Sequence, residues 1–409
     1  MLKNFESKNN LVIIFYLFLY AFLLVGFFYG EDPSGGSKRD YFLLQDHMMK
    51  NGFNLGVKNF LFEFYPYGTL IHSPIYYVLI HYLQNIFQAD LVRLIILHLY
   101  LLVPIFFFKS LNCIYKNKNY LLFLIPAFFF IVPTFRSISI WSGRECFTLI
   151  FLSISFFYYS SFLNKKEIKN IYLSFFYLSL SSYISPEIGL LSILYLYEYF
   201  KFLNWKNFIK LLIFCFFLSI PFFYYYLNFL IDREYNNSFH INLLNNYPLF
   251  ICAFLFYTFP FIFFKNLKNY IIFLKKNIFL IFLIVLTSYF LLKFGFNYNY
   301  NFGGGVVYRL LNMLGIDQML FIFFSWGILN FIYLFKKNIL FNILFLLIFI
   351  IQTCLNFWFF QKYMDLYWMF YFFFIFQNKQ LLNYFKDKVF SYMLLLFYTT
   401  YYIGSSIYH

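Results

Sequence analysis

Lysine outnumbers arginine by 25 to 6 in this chain, and the few arginines keep company with acids and aromatics. Arg39 precedes Asp40, with Asp32 upstream in the same polar stretch. Arg136 and Arg144 bracket Trp141, and Glu145 follows. Arg309 comes shortly after Gly303-Gly304-Gly305, and Gln361-Lys362-Tyr363-Met364-Asp365 is a polar island between two apolar runs. A guanidinium is a planar fork that matches phosphate or carboxylate in a bidentate manner. Charges beside long apolar runs are costly, so they tend to be paired or functional. Together these residues read as a polar site that recognises phosphate or carboxylate. The plainer alternative is structural ion pairing, Arg144 with Glu145 or Lys362 with Asp365. Trp141 and the Tyr65/Tyr67 pair could stack on sugar rings or sit in an interfacial aromatic belt. His72 is either a polar contact in a substrate cleft or a satisfied interfacial histidine. His72-Ser73-Pro74 closes the stretch that contains Asp40, which favours the cleft.

Other chemistries lack their residues. The five cysteines are scattered without a C-x-x-C pair and read as small apolar residues within helices. The six histidines contain no H-E-x-x-H, so no zinc motif is present. The triple glycine is not followed by G-K-[ST] and is not a phosphate-cradling P-loop.

The elements that must position these residues follow from composition. The chain has 409 residues, 63% hydrophobic, 28% aromatic and 11% charged. A soluble domain has about 25% charged residues. A soluble enzyme, a nucleic-acid binder and a disordered chain are therefore excluded, and the expectation is a polytopic, all-α transmembrane bundle occupying 1–409 as one membrane-embedded domain. Spans of about 20 apolar residues are expected at 11–29, 92–112, 119–135, 146–163, 171–185, 187–200, 208–230, 247–264, 277–293, 313–335, 338–359, 363–377 and 389–407. The amphipathic segment 73–87 is expected to lie in the interface and not to cross. The first external loop then runs over 30–91 and carries interfacial helices. The run 11–29 is too long for a signal-peptide core and lacks a cleavage site, so it is expected to remain as the first span.

With the N-terminus inside, the loops on that side are lysine-rich and acid-poor throughout, as the positive-inside rule requires. The net charge of +15 is thus mostly a topology signal, and nucleic acid is not an expected partner. All six arginines fall on the opposite, external side, which that rule cannot explain. A loop as long as 30–72 is uncommon unless functional, although an ordinary solvated loop is the alternative for any one of its acids.

The order of these segments resembles the GT-C superfamily of membrane glycosyltransferases, which take sugars from polyprenyl-phosphate donors. Arg39-Asp40-Tyr41 followed by Gln-Asp-His-Met-Met-Lys-Asn-Gly-Phe-Asn is similar to the family's acidic stretch after the first span. His72-Ser73-Pro74-Ile75-Tyr76-Tyr77 resembles its entry into an interfacial helix. Pro133, Arg136-Ser137, Trp141 and Glu145 follow its second external corner, with Pro133 one residue out of register. Gln361-Lys362-Tyr363-Met364-Asp365 resembles its late R/K-Y-x-x-P corner, with Asp365-Leu366 in place of the proline. Asp40 stands where many members have two adjacent acids; Glu31-Asp32 is such a pair but lies ten residues farther from His72.

The resemblance implies transfer of a hexose from a polyprenyl-phosphate donor to a glycan or lipid-linked acceptor on the external face, with inversion. A carboxylate must accept the acceptor hydroxyl's proton, a role that falls to Asp40 first and Asp32 second. The leaving lipid phosphate needs fixed cations, which Arg309 and Lys362, with Arg136 or Arg144, would supply. Arg39, His72, Trp141, Glu145 and Tyr363 complete the expected substrate contacts. Some relatives use a divalent metal, for which Asp40, Glu145 and Glu187 could form a set; no metal is assigned. The expected location is a bacterial inner membrane, N-terminus cytoplasmic and active face periplasmic. A polymerase or ligase of lipid-linked glycans is the nearest alternative, and a lipid-linked sugar transporter the next. The first would carry its large loop later in the chain, and the second would show internal repeats, which this sequence lacks.

Overall fold

Backbone N–H and C=O groups cannot find water inside hydrocarbon, and a helix satisfies them within its own segment. The computed structural model describes residues 2–42, 49, 52–53, 56–61, 74–115, 123–225, 227, 243–298, 304–334, 339–354 and 387–408, and among these every regular element is helical. Contacts divide the chain into two compact units, Met1–Arg233 with Phe372–His409, and Glu234–Tyr371.

In the first unit the longer helices are α1 (Leu2–Tyr29), α2 (Ile75–Ile86), α3 (Ala89–Tyr100), α4 (Leu102–Tyr115), α5 (Pro133–Ile140), α6 (Glu145–Lys165), α7 (Ile168–Ile184), α8 (Ser192–Phe200) and α9 (Trp205–Tyr225). Helix α6 is the centre of this unit and packs on α3, α4 and α7. Its serines allow that close approach while keeping their hydroxyls occupied. Ser155 donates to the Ser174 carbonyl at 2.7 Å, and the Ser174 and Tyr199 hydroxyls pair at 2.7 Å. Small hydroxyl residues at helix contacts are the usual solution where no hydrophobic force separates protein from lipid. Glu145 in the first turn and Lys165 in the last suit the helix dipole, and Lys166 ends the helix at φ +60.

The second unit contains α10 (Leu243–Phe263), α11 (Leu267–Lys276), α12 (Ile278–Gly295), α13 (Gly305–Met313), α14 (Leu320–Leu334) and α15 (Ile339–Cys354). Here α10 is central and packs on α12, α13, α14 and α15. Helices α10 and α14 cross closely at Gly327, where a methyl group would come within 2.5 Å of Ile251 Cγ2 and 2.6 Å of its carbonyl. The last helix, α16 (Lys388–Tyr408), belongs to the first unit and packs on α5.

Among the described residues, seven helices are long and apolar enough to cross a membrane: 12–29, 89–114, 145–165, 205–224, 243–263, 278–295 and 317–334. Two of them, 205–224 and 278–295, bury only 6% of their apolar windows within the protein. Such exposed apolar helices fit an integral membrane protein. Several other expected spans take different forms. The described part of 119–135 is not one helix: Phe128–Ile131 forms a single turn and Pro133 opens α5. Proline lacks the N–H that a continuous helix needs but suits a first turn. The expected span at 187–200 starts as a 3-10 turn, Pro186–Leu191, before α8. The 171–185 run is the 17-residue α7, and 389–407 is the 21-residue α16. The 338–359 run is described as far as Cys354, and 363–377 lies outside the described residues.

Candidate functional site

The chain leaves α1 through Gly30, whose φ of +62 lets Glu31 N bond back to the Gly26 carbonyl at 2.9 Å. This reversal aims the Glu31 carboxylate at Arg136 on α5. Arg136 Nε donates to Glu31 Oε1 at 3.0 Å and Nη2 to Oε2 at 2.7 Å. The Nη2 group also donates to the Phe22 carbonyl at 2.8 Å, and the guanidinium lies 4.0 Å from the Phe22 ring centre. Tyr402 on α16 donates to Oε1 at 2.5 Å, while Trp141 Nε1 donates to the Glu31 carbonyl at 2.9 Å. Arg136 is fully buried. A methyl at Gly26 would meet Arg136 Nη2 at 2.4 Å and Glu31 Oε2 at 2.5 Å. This closed pair ties α1, α5 and α16 together.

Asp32, the second choice for a base, organises the next turn. Its Oδ1 accepts from Ser34 Oγ and its Oδ2 from Lys38 N, both at 2.9 Å. Ser34 N reaches Ser137 Oγ at 2.9 Å, and Ser405 Oγ donates to the Pro33 carbonyl at 2.6 Å. Both carboxylate oxygens of Asp32 thus accept donors of its own loop.

Asp40 ends the single helical turn Ser37–Asp40 and is differently placed. Its Oδ1 lies 3.2 Å from Arg39 Nη2, and the two side chains are 29% and 47% exposed. Nearby is the bend Trp141–Arg144. Ser142 adopts φ +49, and Tyr76 of α2 donates to its carbonyl. A non-glycine residue in that region is strained and persists only where its surroundings hold it. The bend delivers Arg144 and Glu145 at the start of α6, with Arg144 Nε 3.3 Å from Glu145 Oε1 and both largely buried. The ion pair expected from adjacency is therefore present. A carboxylate there also suits the positive end of α6.

Tyr77 of α2 links these groups. Burial pushes its hydroxyl up to about 12, with the Arg144 charge opposing and the Glu145 and Asp40 charges adding. It therefore remains a proton donor near neutral pH, within the field of all three charges. Arg93 of α3 braces the bend: its Nη2 donates to the Ile140 carbonyl at 3.2 Å, Nη1 meets Asp90 at 3.0 Å, and its guanidinium lies 4.3 Å from the Trp141 ring centre.

The structure thus gathers Arg39, Asp40, Trp141, Arg144 and Glu145 around α2 and the first turn of α6. Asp32 and Arg136 lie in the same unit but are engaged in loop and core contacts. Arg309 is on α13 of the second unit, beyond Gly304 and Gly305 with φ of +83 and +75. His72, Lys362 and Tyr363 lie outside the described residues, as do Tyr65, Tyr67 and Asp365. Among the described residues no group of three or more His, Cys, Asp or Glu is placed to hold a metal ion. Tyr77, Arg93 and Tyr402 are not assigned to the site from sequence, and Glu31 enters there only as the neighbour of Asp32. Tyr77 stands inside the His72–Tyr77 motif, so its signal was present. The partners of Glu31 lie 105 and 371 positions away, and no local spacing reveals them.

The chain matches no protein-family model, no curated protein and no solved structure.

Proposed function

We propose that this protein is a membrane glycosyltransferase of GT-C type, moving a hexose from a polyprenyl-phosphate donor to an acceptor hydroxyl in glycan or glycolipid assembly. The observation that carries this reading is Asp40, 29% exposed, beside Arg39 and sharing its field with Tyr77, Arg144 and Glu145. A carboxylate open to solvent can accept a proton, and adjacent cations can hold a phosphate. The amphipathic α2 alongside lets an amphiphilic substrate reach both.

In the reaction, the acceptor oxygen attacks the anomeric carbon as the bond to the lipid phosphate breaks, which inverts that carbon. The hydroxyl proton passes to Asp40, and the electron pair leaves with the phosphate. Arg39 and Arg144 balance the developing charge, and the protonated Tyr77 offers a hydrogen bond. Asp40 is preferred to Asp32 because its charge acts on Tyr77 together with those of Arg144 and Glu145. Arg136 is not assigned to phosphate, since Glu31 and the Phe22 carbonyl occupy it. The finer topology belongs to the same proposal: thirteen spans, N-terminus cytoplasmic, and the Asp40 face periplasmic in a bacterial inner membrane.

The test is transfer of labelled hexose from short-chain polyprenyl-phosphate donors in proteoliposomes. Turnover by the wild type that is lost in Asp40→Asn supports the assignment. Survival in Asp40→Asn with loss in Asp32→Asn moves the base. Absence of turnover and of lipid-phosphate binding across several donors overturns the reading.

A further inference from the structure

A second charged and apolar juxtaposition lies in the first unit, in a groove of about 580 Å³ between α7 and α9. Lys169, Tyr172, Leu173 and Phe176 line it from α7, and Phe214 from α9. The α7 positions are spaced i, i+3, i+4 and i+7, so they share one helix face. The Tyr172 and Phe214 rings meet edge to face at 5.1 Å. Lys210 precedes Phe214 by one helical turn on the same face of α9, and Lys206 precedes it by another.

The charges at this end oppose the helix dipoles. Helices α7 and α9 both begin here, and neither has an acid in its first turn. Cations are unfavourable at helix N-termini, where the dipole is already positive, yet Lys169 and Lys206 are the second residues of α7 and α9, and Lys210 follows one turn on; all three are exposed. Two acids are near, fewer than the lysines: Glu167 precedes α7 and accepts from the neutral Asn170 amide at 3.3 Å, and Glu198 pairs with Lys201 at 2.6 Å. Lys166 is turned toward the Phe202 ring, 4.0 Å from its centre. An anion at the mouth would relieve this positive excess. Below the mouth the surface is wholly apolar, and α9 exposes Phe216, Phe217 and Phe223 along its length.

We propose that this groove binds an anionic phospholipid, its phosphate between Lys169 and Lys210 and one acyl chain along Leu173, Phe176 and Phe214. An amphiphile fits both parts of the site, whereas free phosphate would use only the lysines. Basic recesses between membrane helices are a recurring form of lipid headgroup recognition. The inference is independent of the transfer chemistry proposed above.

The test is lipid retention by the purified full-length protein, measured by native mass spectrometry with phosphatidylglycerol and phosphatidylcholine of identical chains. Two lysines near a headgroup predict about a 30-fold preference for phosphatidylglycerol. Lys169→Gln/Lys210→Gln should remove that preference, and Lys275→Gln/Lys276→Gln on α11 should leave it intact. Leu173→Trp, which fills the groove without altering charge, should weaken retention of both lipids, and glycerol phosphate should not compete. Equal retention of both lipids by the wild type would overturn the proposal. So would an equal effect of the α11 control, displacement by glycerol phosphate, or full retention in Leu173→Trp. Should the double lysine variant fail to fold, Leu173→Trp and the competition still decide.

Discussion

Glu31 and Asp40 occupy one loop, and each carboxylate faces an arginine, but the two pairs are built to opposite ends. Glu31 meets a fully buried Arg136 through two hydrogen bonds, and Tyr402, Trp141 and the Phe22 carbonyl complete the surroundings. Asp40 meets an arginine that is 47% exposed, and stays 29% exposed itself. The Glu31–Arg136 pair, with the guanidinium fully buried and the carboxylate 21% exposed, is a fastening, and removing Glu31 leaves a buried charge without compensation. A solvent-facing pair contributes little stability but stays accessible to a substrate. Residue type alone does not separate the two; burial of the arginine does, 0% exposed at Arg136 against 47% at Arg39.

The largest expected effect lies on the closed side. Glu31→Ala should lower stability by about 3–5 kcal/mol, because Arg136 stays buried without its counter-charge. Thermal unfolding in detergent micelles reads this directly, and a melting temperature equal to wild type would erase the distinction between the pairs. Asp40→Asn, by contrast, should change stability by less than about 0.5 kcal/mol, as surface substitutions usually do.

Next is Gly26→Ala. Its methyl would meet Arg136 Nη2 at 2.4 Å and Glu31 Oε2 at 2.5 Å, and such overpacking costs about 1–3 kcal/mol. Gly56→Ala probes the same unit without crowding by the described residues, none of which lies within 4 Å of the added carbon. Its φ of +89 makes backbone strain its only penalty. Gly26 has no positive φ, so a loss there reads crowding of the Glu31–Arg136 pair, and a melting temperature equal to wild type in Gly26→Ala would contradict that crowding.

Tyr77 sharpens the comparison from the open side. Its folded pKa is raised from 10.0 to about 12, so below pH 10 the tyrosine is protonated in folded and unfolded chains alike. Between about pH 10 and 12 the unfolded chain loses the proton first, and stability falls with rising pH. The contribution is on the order of 2 kcal/mol. It should appear as a difference between wild type and Tyr77→Phe in denaturation followed across that range. Parallel curves would place Tyr77 outside the buried charge cluster. A smaller effect than Glu31→Ala is expected at Tyr402→Phe, which removes one donor to Glu31 while Arg136 remains. A loss of about 1–2 kcal/mol is expected, again from thermal unfolding.

The helical architecture was legible where apolar runs are unbroken. The runs 146–163, 247–264 and 277–293 became α6, α10 and α12 with ends displaced by only a few residues. It was less legible at 119–135, where apolarity is continuous but Pro126 and Pro133 interrupt the hydrogen-bond ladder. Hydrophobicity reports the preferred solvent of a segment; helix continuity depends on its N–H groups. In the site, Arg144 and Glu145 were legible as a pair because they are adjacent. The Glu31–Arg136–Tyr402 cluster was not, because its members are brought together by packing of α1, α5 and α16 alone. The resemblance ranks Asp40 ahead of Asp32, but the sequence does not show what either carboxylate is bonded to. The loop bonds of Asp32 appear only once Ser34 and Lys38 are folded around it.

The most direct measurement is transfer of labelled hexose from a short-chain polyprenyl-phosphate donor in proteoliposomes, by wild type and Asp40→Asn at equal folded protein. The expected result is a loss of about 100-fold or more in Asp40→Asn, with unchanged melting. Equal turnover by the two proteins would contradict Asp40 as the base and leave the open pair without its proposed chemistry.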